Sequence, residues 1–133
     1  MSTLRVTNVQ DTAGANSLTT AQIYNGAAKA WVNFNAQIIA INNTGIRASF
    51  NVDIIEDNGL GDYTVKFKNP MPDANYSVVS GPVGVPAGST VYEIAKLANQ
   101  PPTPAGVRII TQYGQNAIKE AFDYTYNFVA VFR

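Results

Sequence analysis

At 133 residues, with 14% charged side chains and nine acidic against nine basic groups, the chain is sized for one domain and lacks the basic footprint that nucleic acid or an anionic membrane requires. Cysteine and histidine are both absent, which removes disulfides, thiolate catalysis, the commonest general base and the commonest metal ligand. No stretch approaches the ~20 apolar residues that span a bilayer, and the opening MSTLRVTNVQDTAG has no basic region followed by an apolar run, so neither membrane insertion nor a cleaved signal is expected.

Leu4 to Val9 sets Leu4 and Val6 against Arg5 and Thr7 and then meets the turn formers Asp11 to Gly14. This predicts a short strand with little to bury, which needs another surface to lie on. Ser17 to Tyr24 reads as coil or strand, because Thr19, Thr20 and the Asn25-Gly26 pair favour extended chain. Ala30 to Phe34 is a strand with Ala30, Val32 and Phe34 on one side and Trp31 and Asn33 on the other. Trp31 is the only tryptophan. Its large apolar area suits a core edge or a subunit interface better than a sugar-stacking platform.

Ile46 to Ile54 alternates Ala48, Phe50, Val52 and Ile54 against Arg47, Ser49, Asn51 and Asp53, predicting a single half-buried strand. Glu56 to Asp62 supplies residues that tolerate a left-handed backbone, and Tyr63, Val65 and Phe67 then resume the apolar alternation as the antiparallel partner. Shorter strands are expected at Tyr76 to Val79, Thr90 to Leu97 and Val107 to Tyr113, with a helical turn competing at Val91 to Ala98. The proline- and glycine-rich stretches Gly81 to Ser89 and Asn99 to Gly106 are connections, and Pro101, Pro102 and Pro104 read as a stiff loop rather than a polyproline ligand. In the final strand Phe122, Tyr124, Tyr126, Phe128 and Phe132 share a face that reads as a core stripe. Val129 and Val131, on the other face, suit a strand covered on both sides or one that meets a neighbouring subunit.

These elements predict an all-β fold, an antiparallel β-sandwich or jelly-roll-like domain over residues 27–133. Residues 1–26 are expected to stand apart from it as an N-terminal segment. The carboxylates Asp53, Glu56, Asp57 and Asp62 cluster around the hairpin turn, where turn geometry and solvation explain them better than a glycosidase pair does. Asp57, Asn58 and Asp62 lack the spacing and closing glutamate of a calcium loop, and Gly81-Pro82-Val83-Gly84 lacks the lysine and following helix of a phosphate cradle. No enzyme activity, cofactor or metal is expected. Loop residues without an evident structural task are candidate contacts with a partner: Asn99 and Gln100 before the prolines, and Tyr113, Gln115 and Asn116 in the YGQN turn. Leu4, Val6, Trp31, Val129 and Val131 are candidate interface residues.

The pieces AAKAWVNFN (Ala27 to Asn35), IRASFNV (Ile46 to Val52), DNGLGDYTVKF (Asp57 to Phe67) and MPDANY (Met71 to Tyr76), with the opening STLRVTNVQDTAG, together resemble a family of phage tail-fibre and tail-tip proteins common in marine phages. The resemblance implies a virion protein assembled in the host cytoplasm alongside other tail proteins. It further implies a homotrimer in which residues 1–26 are a connecting or oligomerising segment, intertwined with its copies or joined to a fibre shaft, and attachment through distal loops to a host surface glycan or protein. A non-adhesive connector or decoration protein is one alternative. A monomeric carbohydrate-binding module, using Trp31 and the tyrosines as platforms, is another.

Overall fold

The computed structural model describes residues 5–14, 17–83, 92–97, 100–115 and 118–133, with the backbone alone described at 92–97, 115, 118 and 119. Strands β1 (Asn8–Gln10) and β2 (Ser17–Thr19) pair with each other as a small hairpin. The first strand is thus shorter than expected and has its partner in the same chain; Val6 precedes it and is exposed, and Leu4 lies outside the described residues.

A helix, α1 (Thr20–Gly26), follows directly. Ser17 to Tyr24 is therefore not simply coil or strand. The Thr19 hydroxyl accepts from the Gln22 backbone N–H at 3.1 Å, and the Gln22 side chain accepts from the Thr19 backbone N–H at 2.8 Å. This reciprocal cap satisfies two of the donors that a helix start leaves without partners, and it overrides the extended preference of the threonines.

The remaining strands form two antiparallel sheets. One runs in the order β4 (Ile46–Phe50), β3 (Ala28–Phe34), β11 (Tyr126–Phe132), β7 (Ser77–Val83). The other places β5 (Val52–Gly59) beside β6 (Asp62–Phe67) and β6 beside β9 (Gly106–Gln115), with β8 (Tyr92–Leu97) and β10 (Ile118–Ala121) also paired to β9. Alternate residues of the two sheets meet in one core: Ala30, Val32, Phe34, Val129 and Val131 from the first, and Ile55, Tyr63, Val65, Phe67, Val107 and Ile109 from the second. Phe34 and Tyr63 join the layers edge to face, with ring centroids 5.4 Å apart. The fold is the all-β sandwich expected from the strand pattern.

Two expectations need correction. Ile46 to Ile54 is not one strand: the chain leaves the first sheet at Asn51, which takes φ 54°, and enters the second as β5. Asparagine is among the few non-glycine residues that adopt this conformation readily. Its side chain secures the crossing, because Asn51 Oδ1 accepts from the Asn69 N–H at 2.8 Å while Nδ2 donates to the Lys29 and Asn69 carbonyls at 3.0 Å each. A register shift between Val52 and Ile55 then turns Ile55 inward and leaves Ile54 exposed.

The final strand is also reversed relative to expectation. Asn127, Val129 and Val131 face the core, whereas Tyr126 and Phe128 face outward. The polar residue on the inner row, Asn127, donates through Nδ2 to the Tyr124 carbonyl at 2.8 Å, while its Oδ1 is buried without a hydrogen-bond partner among the described residues. The expected core stripe is thus split: Tyr124, just before the strand, is buried, Phe122 and Phe132 are half-buried, and Tyr126 and Phe128 are on the surface.

Candidate functional site

The outer face of the four-stranded sheet is built by the residues that alternate with its core positions. Trp31 of β3 lies opposite Phe50 of β4 and Ala130 of β11, and Ala130 lies opposite Val79 of β7. The next row runs Ala48, Asn33, Phe128, Gly81, and Tyr126 pairs with Val83 beyond it. Trp31, Phe50, Val79, Val83, Tyr126 and Phe128 are 39 to 63% exposed. Between them lies a groove of about 530 Å³, bounded by Trp31, Asn33, Val79, Gly81, Phe128 and Ala130. At Gly81 a side chain would meet nothing within 4 Å, so this part of the face is open.

Two cations border this surface. Asn33 pairs with Ala48 but Phe34 pairs with Ile46, so Arg47 is the extra residue of a bulge. Its guanidinium sits 4.2 Å from the centre of the Tyr126 ring and donates to Asn33 Oδ1 at 3.3 Å. At the opposite end of β3 the Lys29 ammonium lies 3.6 Å from the centre of the Tyr24 ring.

Where its side chains are described, the outer face of the second sheet carries the polar row Asp62, Thr64 and Lys66 of β6 with Arg108 of β9. Asp62 accepts two hydrogen bonds from Arg108, at 2.7 and 2.6 Å, and Lys66 pairs with Glu56 at 3.3 Å. Asn58 Nδ2 donates to the Thr64 hydroxyl at 2.9 Å. The Arg108 hydrogen bonds hold the Asp62 carboxyl below the usual aspartate range against the opposing effect of partial burial. Of these groups Glu56, Asn58, Thr64, Lys66 and Arg108 line an open cleft of about 280 Å³ that also takes in Gln100. It offers carboxylate, amide, hydroxyl and cationic groups within one concavity, so its chemistry is hydrogen bonding to a polar ligand.

Beneath the end of this sheet the Tyr63 hydroxyl donates to Asp123 Oδ1, which also accepts from the Gly61 N–H at 2.7 Å. Burial, reinforced by Asp123, pushes the Tyr63 phenol above its ordinary range, so it stays protonated and structural.

The expected contact residues divide. Gln100 is exposed at the polar cleft. Tyr113 is within β9 rather than a turn, its hydroxyl donating to Glu120 and its ring edge-on to Phe122 at 5.7 Å; the hydrogen bond raises its phenol pKa. Gln115 ends β9 opposite Ile118, and Asn99 and Asn116 lie outside the described residues. Of the expected interface residues, Trp31 is on the apolar outer face. Val129 and Val131 are 3% and 1% exposed and belong to the core, since the inward row of β11 is the odd-numbered one. Phe50, Val79, Val83, Tyr126 and Phe128 were not among the candidates. Alternation separates two faces but does not say which turns inward when both are apolar.

Among the described residues, no three histidine, cysteine, aspartate or glutamate side chains gather as a metal site, and no helix is long and apolar enough to cross a membrane. The fold is an antiparallel β-sandwich whose described surface has an apolar outer face on the four-stranded sheet and a polar stretch on β6 and β9 of the other. Comparison with models of known protein families, with characterised proteins and with solved structures finds no match.

Proposed function

We propose that this chain is a phage virion structural protein, a tail-fibre or tail-tip domain that works as a homotrimer and attaches the particle to its host. The observation that supports this reading most directly is where the family-like motifs fall. AAKAWVNFN carries β3, IRASFNV carries β4 and the Asn51 crossing, and DNGLGDYTVKF carries the turn into β6 and all of β6. MPDANY contributes Met71 to the core and Tyr76, whose ring packs edge-on to Phe67 at 5.7 Å. The resemblance therefore coincides with the framework of the sandwich, and the proposed receptor contact is the polar cleft, lined by Asn58, Thr64 and Lys66 of the DNGLGDYTVKF motif and by Gln100 of the loop.

A cleft of mixed hydrogen-bonding groups suits a hydroxyl-rich glycan, and several copies turn weak single contacts into firm attachment. The test is binding of the purified full-length protein to a panel of bacteria and to arrays of bacterial surface glycans. Host-restricted binding that is weakened by Lys66→Ala and Gln100→Ala is the expected result. Absence of binding to every host, by a protein that assembles normally, replaces attachment with the connector role. Sugar binding by a monomer through Trp31 replaces it with the carbohydrate-binding module.

A further inference from the structure

We infer that the polar cleft selects neutral sugars over acidic ones, with Glu56 as the residue that enforces the choice; the inference rests on the proposed reading of this cleft as the receptor contact and names the class of glycan it takes. The first observation is charge. Lys66 lies 3.3 Å from Glu56 and Arg108 lies 2.6 Å from Asp62, so each cation of the cleft already has a carboxylate of its own. Among the described residues that line it, no unpaired cation is left for an incoming anion. A sugar carboxylate would have to displace Glu56 from Lys66 while standing beside it, or compete with the two-pronged grip of Arg108 on Asp62.

The second observation is the hydrogen-bonding capacity left over once the internal pairs are made. Arg108 uses Nε and Nη2 on Asp62, which leaves Nη1 to donate. The Thr64 hydroxyl accepts from Asn58 Nδ2 at 2.9 Å and keeps its own proton to donate. On the accepting side stand the Asn58 amide oxygen, since only Nδ2 of that side chain is engaged, and the Glu56 lone pairs beyond those that Lys66 takes up. Gln100 adds a donor and an acceptor, because no hydrogen bond among the described residues uses its side chain. A sugar hydroxyl both donates and accepts, so a neutral ring matches both halves of this set. A carboxylate only accepts, and it leaves Glu56 and Asn58 facing it without a donor. No aromatic ring is among the described lining residues, so discrimination rests on these polar groups rather than on stacking. Glu56 thus accepts from a neutral ring and turns an acidic one away, which is specificity built on repulsion as well as attraction.

The probes are pairs of hexose oligosaccharides, of varied ring stereochemistry, whose members differ only in carrying a hydroxymethyl group or a carboxylate at one ring carbon. Binding to the full-length protein is measured by titration calorimetry for wild type, for Glu56→Gln, which keeps the shape and an acceptor while freeing Lys66, and for Gln100→Ala, which locates the sugar in the cleft. The inference predicts that wild type prefers the neutral member of a bound pair by at least about tenfold, and that Glu56→Gln narrows this to about threefold or less by gaining affinity for the acidic member. Gln100→Ala weakens the neutral sugar, and added salt leaves wild-type binding of it unchanged. Wild type that binds the acidic member equally well or better, with Gln100→Ala weakening both, overturns the inference and leaves the cleft as the receptor contact. A folded Glu56→Gln that keeps the wild-type preference overturns it in the same way; if that variant does not fold, the wild-type preference and its salt dependence decide. Sugar binding that Gln100→Ala leaves intact, or no binding to any pair, overturns the inference together with the reading of the cleft.

Discussion

The two outer faces of the sandwich are produced by the same strand alternation, yet one is aromatic and nearly uncharged while the other, where β5, β6 and β9 meet, is held by ion pairs and hydrogen bonds. On the first, Trp31, Phe50 and Phe128 stand clear of the sheet. On the second, Asp62 with Arg108 and Glu56 with Lys66 are already paired within the chain. A surface whose polar groups satisfy one another is stable in water as it stands. An apolar one of this size gains from being covered.

The contrast requires that the two sheets be held back to back, and the largest effect comes from breaking that contact. Phe34→Ala removes the ring that meets Tyr63 between the layers and is expected to cost about 3–5 kcal/mol, read as a fall in the denaturant midpoint. Gly61→Ala comes next. Gly61 has φ +64°, and a side chain there would lie 2.4 Å from the Thr111 carbonyl oxygen and 2.7 Å from the Phe122 nitrogen. A loss of about 3 kcal/mol is expected from strain plus displacement of those strands; an unchanged midpoint would show that the turn on the polar side is not fixed by this approach. Asn51→Ala attacks the crossing between the faces. It discards three side-chain hydrogen bonds in a left-handed residue, for about 2 kcal/mol by chemical denaturation.

Neighbouring residues of β11 sharpen the comparison directly. Val129→Ala should cost about 2 kcal/mol because it opens the core. Phe128→Ala, one residue away on the outer face, should change the stability of the isolated monomer by only about 0.5 kcal/mol. Equal losses would mean that the faces of β11 are misassigned. The smallest effect concerns acid. The Asp62 pKa is lowered in the fold, so its contribution is complete above the ordinary aspartate pKa and fades as pH falls through the depressed folded value. Asp62→Asn should therefore reduce stability at neutral pH by no more than about 1 kcal/mol for this partly exposed pair, with the difference shrinking below about pH 4 in pH-dependent unfolding curves.

The hairpin from β5 to β6 was legible because its turn needs residues such as Gly59 and Gly61, both at positive φ, and because Tyr63, Val65 and Phe67 alternate with polar neighbours. The crossing at Asn51 was hidden by an alternation that continues unbroken from Ala48 to Ile54 through a change of sheet. Only the left-handed tolerance of asparagine hinted at it. The helix had a readable signal in Thr19 and Gln22, set at the spacing of a reciprocal cap. The apolar surface was the least legible feature. In β11 the aromatic row outweighs the valine row, and hydrophobicity alone sends the aromatics inward. What sends them outward is the pairing of β11 between β3 and β7, whose inner rows of Ala30, Val32, Phe34 and Val78 set the shared face.

The most direct test of this account is the molar mass of the purified full-length protein by light scattering over a range of concentrations. Three copies per particle, held down to low concentration, is the predicted result. A monomer at every concentration would contradict it, leaving the aromatic face exposed to solvent or to a partner of another kind.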